Sequence, residues 1–353
     1  MQMVLNWILT NAVVNKNYLK IYICDNKPIR MKKKYILFSL IENMKLLENQ
    51  SFILFGWTFT NDHKKIVKAV PNPQSFFPSI GASASIEFQT KVVAFKEYEC
   101  DESTISFKLH EEVGFLNAIL STIWLVNDNA VFGSGGFALN VENDSLLTNK
   151  FSNFISDSRG EYTPFNVESD LIDQIVNAGL WDKMKILIYT EERDPGIDEN
   201  ITSAEINKIW KASIENKLFV FTRIQRSFLL LNIARTNSFL PLKIGFYVNA
   251  LECLLITTES ELSFRLQLYL ANFIGEDKNE KEYIMSIVKQ AYDVRSKLFH
   301  GGIIKQKTDN YLSDLSQNID NLLRKAINKS TSMVDIINDN NNLDKLCKTN
   351  LFN

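Results

Sequence analysis

Three kinds of residue or pattern are scarce in this chain of 353 residues: histidines, paired cysteines and ligand clusters. It has three histidines, His63, His110 and His300, and four widely spaced cysteines. No two cysteines form a C-x-x-C pair, and no His/Cys group has the spacing of a zinc site. We therefore expect reduced thiols, as in a cytoplasmic protein, and neither a metal nor a cofactor.

Long apolar runs and an excess of charge are also missing. No apolar stretch reaches the ~18 residues that span a membrane, so no membrane helix is predicted. The segment MKKKYILFSLIEN begins like a signal peptide, but Glu42 interrupts its apolar part and no small-residue cleavage site follows. The net charge of -2 provides no global attraction for nucleic acid, so an RNA partner would need a local positive surface.

Residues 31–200 are rich in short runs of β-branched and aromatic residues, separated by proline and glycine. The runs that predict strands are SFILFGWTFT, SASIEFQTKVVAF, STISFKL, AILSTIWLV and KMKILIY. Between two such runs, FGSGGF lacks the Lys-Ser/Thr of a phosphate-binding loop and is typical of a hairpin turn. We predict a β-rich domain over 31–200, after an unassigned extension of residues 1–30.

The segment EERDPGIDEN, residues 191–200, is acidic and contains a Pro-Gly step. Its carboxylates could bind a hard cation, but their spacing matches no calcium loop. A solvated linker is the preferred interpretation.

After residue 200 the apolar period becomes helical. Helices are predicted over about 203–236, 240–257, 261–274 and 280–299, and from near residue 309. Short connections favour antiparallel neighbours, so residues 201–335 are expected to form a helical bundle. The polar, Asn-rich residues 336–353 are expected to be a tail with a frayed end. The fold class is therefore α+β: a β-rich N-terminal domain followed by an all-α bundle.

The fourth predicted helix ends in AYDVRSKLFHGG and places a charge on its apolar face. Arg295 falls near the middle of the apolar arc, where a guanidinium is costly unless it is paired or lines a wet crevice. His300 follows at the helix end. Glu252 and Arg265 border the apolar rows of the second and third helices. A buried Arg295–Glu252 ion pair and a helix-end His300 stabilised by the dipole form a purely structural alternative.

Three ordered blocks, ALECLL (250–255), ELSFRL (261–266) and AYDVRSKLFHGG (291–302), resemble the Apea-like branch of the HEPN superfamily. The family motif is arginine, a polar residue, variable positions and histidine, which correspond here to Arg295, Ser296 and His300. The resemblance covers roughly residues 205–330 and does not reach the first 190.

The resemblance implies a homodimeric bundle with a composite cleft and a metal-independent endoribonuclease, a hydrolase of toxin–antitoxin and anti-phage systems. His300 would be the general acid/base, Arg295 the phosphate clamp and Ser296 a positioning hydrogen-bond donor. Glu252 and Arg265 would have supporting roles. RNA would be the substrate, with 2′,3′-cyclic phosphate products. A phage-derived trigger or an antitoxin would act on the N-terminal domain, which would then be a sensor.

Two other hypotheses remain. The bundle could be a non-catalytic dimerisation or ligand-binding module in which Arg295 and His300 are structural. Alternatively, N-terminal aromatics could stack on bases or sugars, although aromatics in strand-like segments more often pack inward. The aromatics considered are Trp57, Phe76, Phe77 and Trp124.

Overall fold

The structure is a computed structural model that describes residues 32–150, 154–188, 221–305, 308 and 310–349. The fold is mixed α/β, with a β-sheet in the N-terminal half and helices in the C-terminal half. The chain divides into two compact units, residues 1–155 with 162–184, and residues 156–161 with 185–353. The predicted extension 1–30 and the predicted linker 191–200 lie outside the described residues.

The N-terminal unit is built on an antiparallel sheet. Its strands are β1 (Lys33–Glu42), β2 (Met44–Leu46), β3 (Ser51–Leu54), β4 (Trp57–Thr60), β5 (Val92–Cys100), β6 (Phe132–Asn140), β7 (Leu146–Lys150) and β8 (Phe165–Val167). Six of them form one sheet in the order β3-β4-β5-β1-β6-β7, and β2 and β8 make a short parallel pair. The run YILFSLI in β1 is buried along its whole length, because β1 is central and both sheet faces are covered.

Helices cover the two faces of this sheet. Those up to residue 188 are α1 (His63–Ala69), α2 (Pro73–Ile80), α3 (Ala82–Thr90), α4 (Ile105–Ile123), α5 (Ser169–Asn177) and α6 (Leu180–Leu187). On one face, the ring of Phe38 packs against Phe76 of α2 and Phe88 of α3, with centroid distances of 5.4 and 5.8 Å. On the other face, the Asn117 side chain of α4 accepts the backbone N–H of Gly133 at 2.8 Å.

Several predicted strands are helical, so those predictions were wrong. STISFKL and AILSTIWLV fall largely in α4, SASIEFQT in α3 and KMKIL in α6. In the first half of α4 the buried residues Ile105, Leu109 and Val113 recur every four positions, close to the period of a helix. From Leu116 to Ile123 every residue is buried, so the second half of the helix is enclosed on all sides. The β-branched residues of α4 favoured a strand locally, but this burial as a helix overrides that propensity.

The predicted hairpin turn at FGSGGF is also wrong, because these residues lie inside strand β6. Their small size allows α4 to approach the sheet. A Cβ placed on Gly136 would lie 2.6 Å from Cγ2 of Val113 and 3.1 Å from Cδ1 of Leu109. Gly136 therefore serves close helix–strand packing and not chain reversal.

The C-terminal unit contains the predicted helical bundle. Its helices are α7 (Arg223–Arg235), α8 (Leu240–Leu255), α9 (Leu262–Ile274), α10 (Lys278–Phe299), α11 (Tyr311–Ser330), α12 (Val334–Asn338) and α13 (Asn340–Thr349). The prediction of the second to fifth helices is confirmed, and α7 lies within the first. Helix α8 packs against α7, α9, α10 and α11, so it is central to the bundle. None of the helices in the described ranges is long and apolar enough to cross a membrane.

The predicted polar tail contains helix α13, which packs against α9. The end that was predicted to be frayed, residues 350–353, lies outside the described residues. Leu343 and Cys347 of α13 are fully buried, and Asn272 of α9 donates to the Cys347 carbonyl at 3.1 Å. Leu343 and Cys347 are four residues apart, which is a helical spacing. The segment was not predicted to be a helix because asparagines surround these few apolar residues.

A short segment from the first half of the chain, residues 156–161, belongs to the helical unit. The backbone N–H of Ser156 donates to the Arg235 carbonyl at 2.9 Å, at the end of α7. The Ser316 hydroxyl of α11 donates to the Ser158 carbonyl at 2.5 Å. The sequence analysis placed this segment in the N-terminal domain, whereas its contacts complete the bundle.

Candidate functional site

The site is built around the C-terminal end of α10. Gly301 adopts a left-handed conformation, with φ +71°, and the N–H of Gly302 donates to the Lys297 carbonyl at 2.8 Å. This is the hydrogen bond of a glycine-terminated helix, and it explains the Gly-Gly pair. His300 is the C-cap residue, and its backbone N–H donates to the Ser296 carbonyl at 3.0 Å. The His300 side chain is exposed to solvent.

Arg295 is held by three polar side chains. Its Nη2 lies 3.5 Å from Oε2 of Glu252, and its Nε donates to Oδ1 of Asn249 at 3.3 Å. Its Nη1 donates to the Tyr292 hydroxyl at 3.5 Å. Asn249 and Glu252 lie three residues apart on α8, so one face of that helix presents both to α10. The Arg295 side chain is 26% exposed, which leaves it reachable from solvent.

Two aromatic rings flank the same guanidinium. Its Cζ lies 5.3 Å from the ring centroid of Tyr292 and 5.8 Å from that of Phe299. Gly245 of α8 makes room beside them, since a Cβ there would lie 3.3 Å from Cε2 of Phe299 and 3.8 Å from Cγ of Arg295. Stacking on aromatic faces restricts the guanidinium plane and supplements its long hydrogen bonds.

Burial shapes the electrostatics of this cluster. It raises the pKa of Glu252, against the opposing effects of Arg295 and the Tyr292 hydroxyl. Burial also raises the pKa of Tyr292, assisted by the charge of Glu252. A guanidinium has five N–H donors, and the contacts above engage its three nitrogens at long distances. Arg295 therefore has hydrogen-bonding capacity left for an oxyanion.

The chain brings together only part of the predicted site. Arg295 and Glu252 meet, and the sequence analysis expected this ion pair under the purely structural alternative. Within the described ranges, no hydrogen bond or ion pair joins the His300 side chain to either of them. Ser296 is half-buried, and its hydroxyl makes no hydrogen bond to any residue that the structure describes.

Arg265 lies in a different cluster. Its Nη1 donates to the Tyr269 hydroxyl at 3.4 Å, and its Nη2 is 3.7 Å from Oε2 of Glu261. The Tyr269 hydroxyl donates in turn to Oδ1 of Asp344 in α13 at 2.5 Å. Hydrogen bonds from Lys348 and Tyr269 lower the pKa of Asp344. Arg265 therefore connects α9 with the last helix, and its contacts do not include Arg295.

Sequence reasoning missed three residues of the Arg295 cluster: Asn249, Tyr292 and Phe299. Helical spacing contains the signal that could have found them. Asn249 precedes Glu252 by three positions, and Tyr292 and Phe299 flank Arg295 by three and four, so each pair shares a helix face. An asparagine and two aromatics are common in bundles, which is why they carried no signal of their own.

In the part of the chain that the structure describes, no three His, Cys, Asp or Glu side chains form a group able to hold a metal ion. The aromatics considered for base or sugar stacking are mostly core. Trp57, Phe76 and Trp124 are at most 1% exposed, which confirms the preference for packing, and Phe77 is half-buried.

No family model, no curated protein and no solved structure matches this chain. The resemblance to the HEPN superfamily therefore stays a hypothesis, which rests on the three sequence blocks. The Arg295 cluster and the exposed His300 are therefore the features that bear on function.

Proposed function

We propose that the chain is a metal-independent endoribonuclease of the HEPN type, with Arg295, Ser296 and His300 as its catalytic residues. The observation that carries this proposal is the position of two groups on α10. The guanidinium of Arg295 is held in place and partly exposed, and the C-cap residue five positions later is the exposed His300. A phosphate clamp and a titratable imidazole are the two groups that cleavage by the ribose 2′-OH needs.

The reaction would proceed by in-line attack. One histidine removes the proton from the 2′-OH, and the 2′-oxygen forms a bond to phosphorus while the bond from phosphorus to the 5′-oxygen breaks. A second histidine supplies the proton that the leaving 5′-oxygen needs. Arg295 stabilises the charge on the non-bridging oxygens, and Ser296 donates a hydrogen bond to one of them. The products are a 2′,3′-cyclic phosphate and a 5′-hydroxyl.

A second copy of the chain would complete the site. Arg295 and His300 lie about 140° apart around α10, so one chain presents them in different directions. The segment that follows the helix carries an exposed apolar group, since Ile303 is 82% exposed. A two-fold dimer through this end would bring two imidazoles and two guanidiniums together and create the local positive cleft that the net charge of -2 does not supply.

In this proposal the nuclease is an effector of defence or growth arrest, and the N-terminal unit is its sensor. An antitoxin or a phage-derived trigger would then set its activity. The sensor role is supported by the division of the chain into two compact units, of which the helical one contains the whole candidate site.

One observation favours a second candidate function, a non-catalytic dimerisation or ligand-binding module. Glu252, Asn249 and Tyr292 all contact Arg295 within the bundle, as they would if the arginine only joined α8 to α10. In that case the exposed His300 would have no role in chemistry, and its removal would leave every function of the bundle intact.

The test is RNA cleavage in EDTA by the full-length protein, with analysis of the product ends. Wild type is compared with His300→Ala, Arg295→Lys and His110→Ala, after size measurement confirms that all have the same oligomeric state. His110 is an exposed histidine of the N-terminal unit and serves as the matched control. Expression in a bacterial host adds a growth readout.

We expect cyclic phosphate ends from wild type and His110→Ala. His300→Ala should lose about 10²–10⁴-fold in rate, and Arg295→Lys about 10²-fold, because lysine retains the charge without the bidentate fork. Equal cleavage by wild type and His300→Ala would refute the assignment. No cleavage by wild type, with or without cell or phage lysate, would favour the module.

A further inference from the structure

We infer that Phe299 is a stacking platform for a nucleobase of the RNA whose phosphate binds Arg295. This inference rests on the proposed function, since it places the base beside a phosphate bound to Arg295. It adds a specificity-determining residue that takes no part in the proton transfers.

The position of the ring supports this role. Phe299 is 53% exposed, although a phenyl group gains by leaving water. The guanidinium of Arg295 lies over the ring at 5.8 Å from its centroid, and the ring edge packs beside Gly245. The ring is thus fixed by two contacts and still offers apolar surface to a ligand.

The surroundings of the ring favour a nucleotide over a purely apolar ligand. Arg295 and His300 are next to Phe299 along the helix, at positions four before and one after it. A nucleotide whose phosphate binds Arg295 therefore carries its base within reach of the phenyl ring. Every base has a π face, so such stacking tolerates all sequences but requires a base that is not already paired and stacked in a duplex.

The competing role of an exposed phenylalanine is contact with a second protein chain. The two roles differ in which side chain can substitute for the phenyl ring of Phe299. Stacking needs an aromatic plane, so tryptophan should substitute well and leucine poorly. A protein contact needs apolar volume, so leucine should preserve it and tryptophan should disturb it.

The experiment uses Phe299→Leu and Phe299→Trp in the full-length chain. Phe264→Leu is the matched control, because Phe264 of α9 is 57% exposed in the same bundle and has no contact with Arg295. Anisotropy measures binding of a fluorescent single-stranded RNA, and of the same RNA paired with its complement. Cleavage kinetics separate KM from kcat, and size measurement reports the oligomeric state.

We expect wild type to bind the single strand more tightly than the duplex. Phe299→Leu should weaken binding to the single strand about ten-fold and raise KM with little change in kcat, while Phe299→Trp and Phe264→Leu behave like wild type. Equal binding of single strand and duplex, unchanged binding by Phe299→Leu, or dissociation of the oligomer in Phe299→Trp would each overturn the inference.

The proposed function and this inference fail separately. A wild type that cleaves RNA while Phe299→Leu is indistinguishable from it refutes only the stacking role. A wild type that binds single strands through Phe299 but never cleaves them refutes the nuclease and keeps the platform.

Discussion

Nη2 of Arg295 and Oε2 of Glu252 lie 3.5 Å apart, and the two side chains are 26% and 16% exposed. The contact is too long for a strong bidentate pair, and Oε1 of Glu252 is buried without a hydrogen-bond partner among the described residues. The carboxylate thus loses much of its hydration and recovers only part of that cost from the arginine. The free energy of unfolding should therefore respond to the charge state and to the substitution of Glu252.

The stability of Glu252→Gln is expected to depend on pH differently from that of wild type. Burial raises the pKa of Glu252 in the folded chain above its ordinary 4.5. The stability that this group contributes is present below the unfolded-state pKa and is lost as the pH rises through the raised folded pKa. Glutamine does not titrate, so the free energy of unfolding of Glu252→Gln, relative to wild type, should increase from about pH 4 to about pH 7.

Urea unfolding at a series of pH values measures this difference. Glu252→Ala is the control, because it removes the packed side chain as well as the charge. We expect Glu252→Ala to be about 1–3 kcal/mol less stable than Glu252→Gln at every pH, since alanine leaves Nη2 of Arg295 without this acceptor. Relative to wild type the two variants should show the same pH dependence, because neither alanine nor glutamine titrates. A relative stability of Glu252→Gln that falls as the pH rises would contradict the direction of the pKa shift.

Asn249→Ala tests whether the orientation of Arg295 matters for chemistry. The substitution removes the oxygen that accepts the Nε proton at 3.3 Å. A residue that holds a catalytic group in place typically contributes about 10–100-fold, so kcat for RNA should fall by about ten-fold, with a smaller change in KM. Asn272→Ala is the matched control, since Asn272 binds the Cys347 carbonyl away from the site. An unchanged kcat in Asn249→Ala would show that the hydrogen bond is dispensable.

The bundle was predictable because its signals are local. Proline near the start of α8 and glycines after α10 mark helix ends, and the apolar period is regular between them. Arg295 was noticed because a guanidinium interrupts an apolar arc. Asn249, by contrast, shares a helix face with Glu252, but its role depends on a contact with Arg295, which lies 46 residues later in the sequence. Spacing along one helix does not identify the partner on another helix.

The N-terminal unit was harder to predict for a physical reason. Helix α4 contains many β-branched and aromatic residues, which favour strands locally, and the glycines of β6 favour turns. Both tendencies are overridden by a single tertiary event, the close packing of α4 on the sheet. Strand β1 was not among the predicted strands, because its continuous apolar run was weighed as the core of a signal peptide. Such a run also fits a strand that is buried on both faces of a sheet.

Gly136→Ala should destabilise the N-terminal unit by about 1–3 kcal/mol, because the new methyl group would overlap Val113 at 2.6 Å. Gly135→Ala is the neighbouring control. Its Cβ would lie 3.5 Å from the nearest atom, the Asn149 carbonyl oxygen, so its stability should stay within about 0.5 kcal/mol of wild type. Thermal unfolding followed by circular dichroism compares the two, and equal melting temperatures would argue against close packing of α4 on β6.

Gly160→Ala should destabilise the helical unit. Gly160 has φ +80°, and a Cβ there would lie 2.5 Å from the Ser238 carbonyl oxygen. Left-handed backbone strain and the steric overlap together should cost about 2–4 kcal/mol. Gly179 has φ +63° and open space around its Cβ position, so Gly179→Ala should cost only the strain, about 1 kcal/mol.

Denaturant titrations of the two glycine variants separate the contributions, since both share the strain and only one has the overlap. If Gly160→Ala is no less stable than Gly179→Ala, residues 156–161 are not packed tightly against the start of α8.

The segment 156–161 also constrains how the protein can be made. Ser158 accepts its hydrogen bond from Ser316, which the ribosome adds 158 residues later. During synthesis the Ser158 carbonyl therefore cannot form this hydrogen bond until residue 316 has been added. A gene fragment that starts at residue 201 would encode every helix of the bundle from α7 onward and still lack one of its parts. An isolated bundle should therefore include residues 156–161 as well, for instance in a permuted chain.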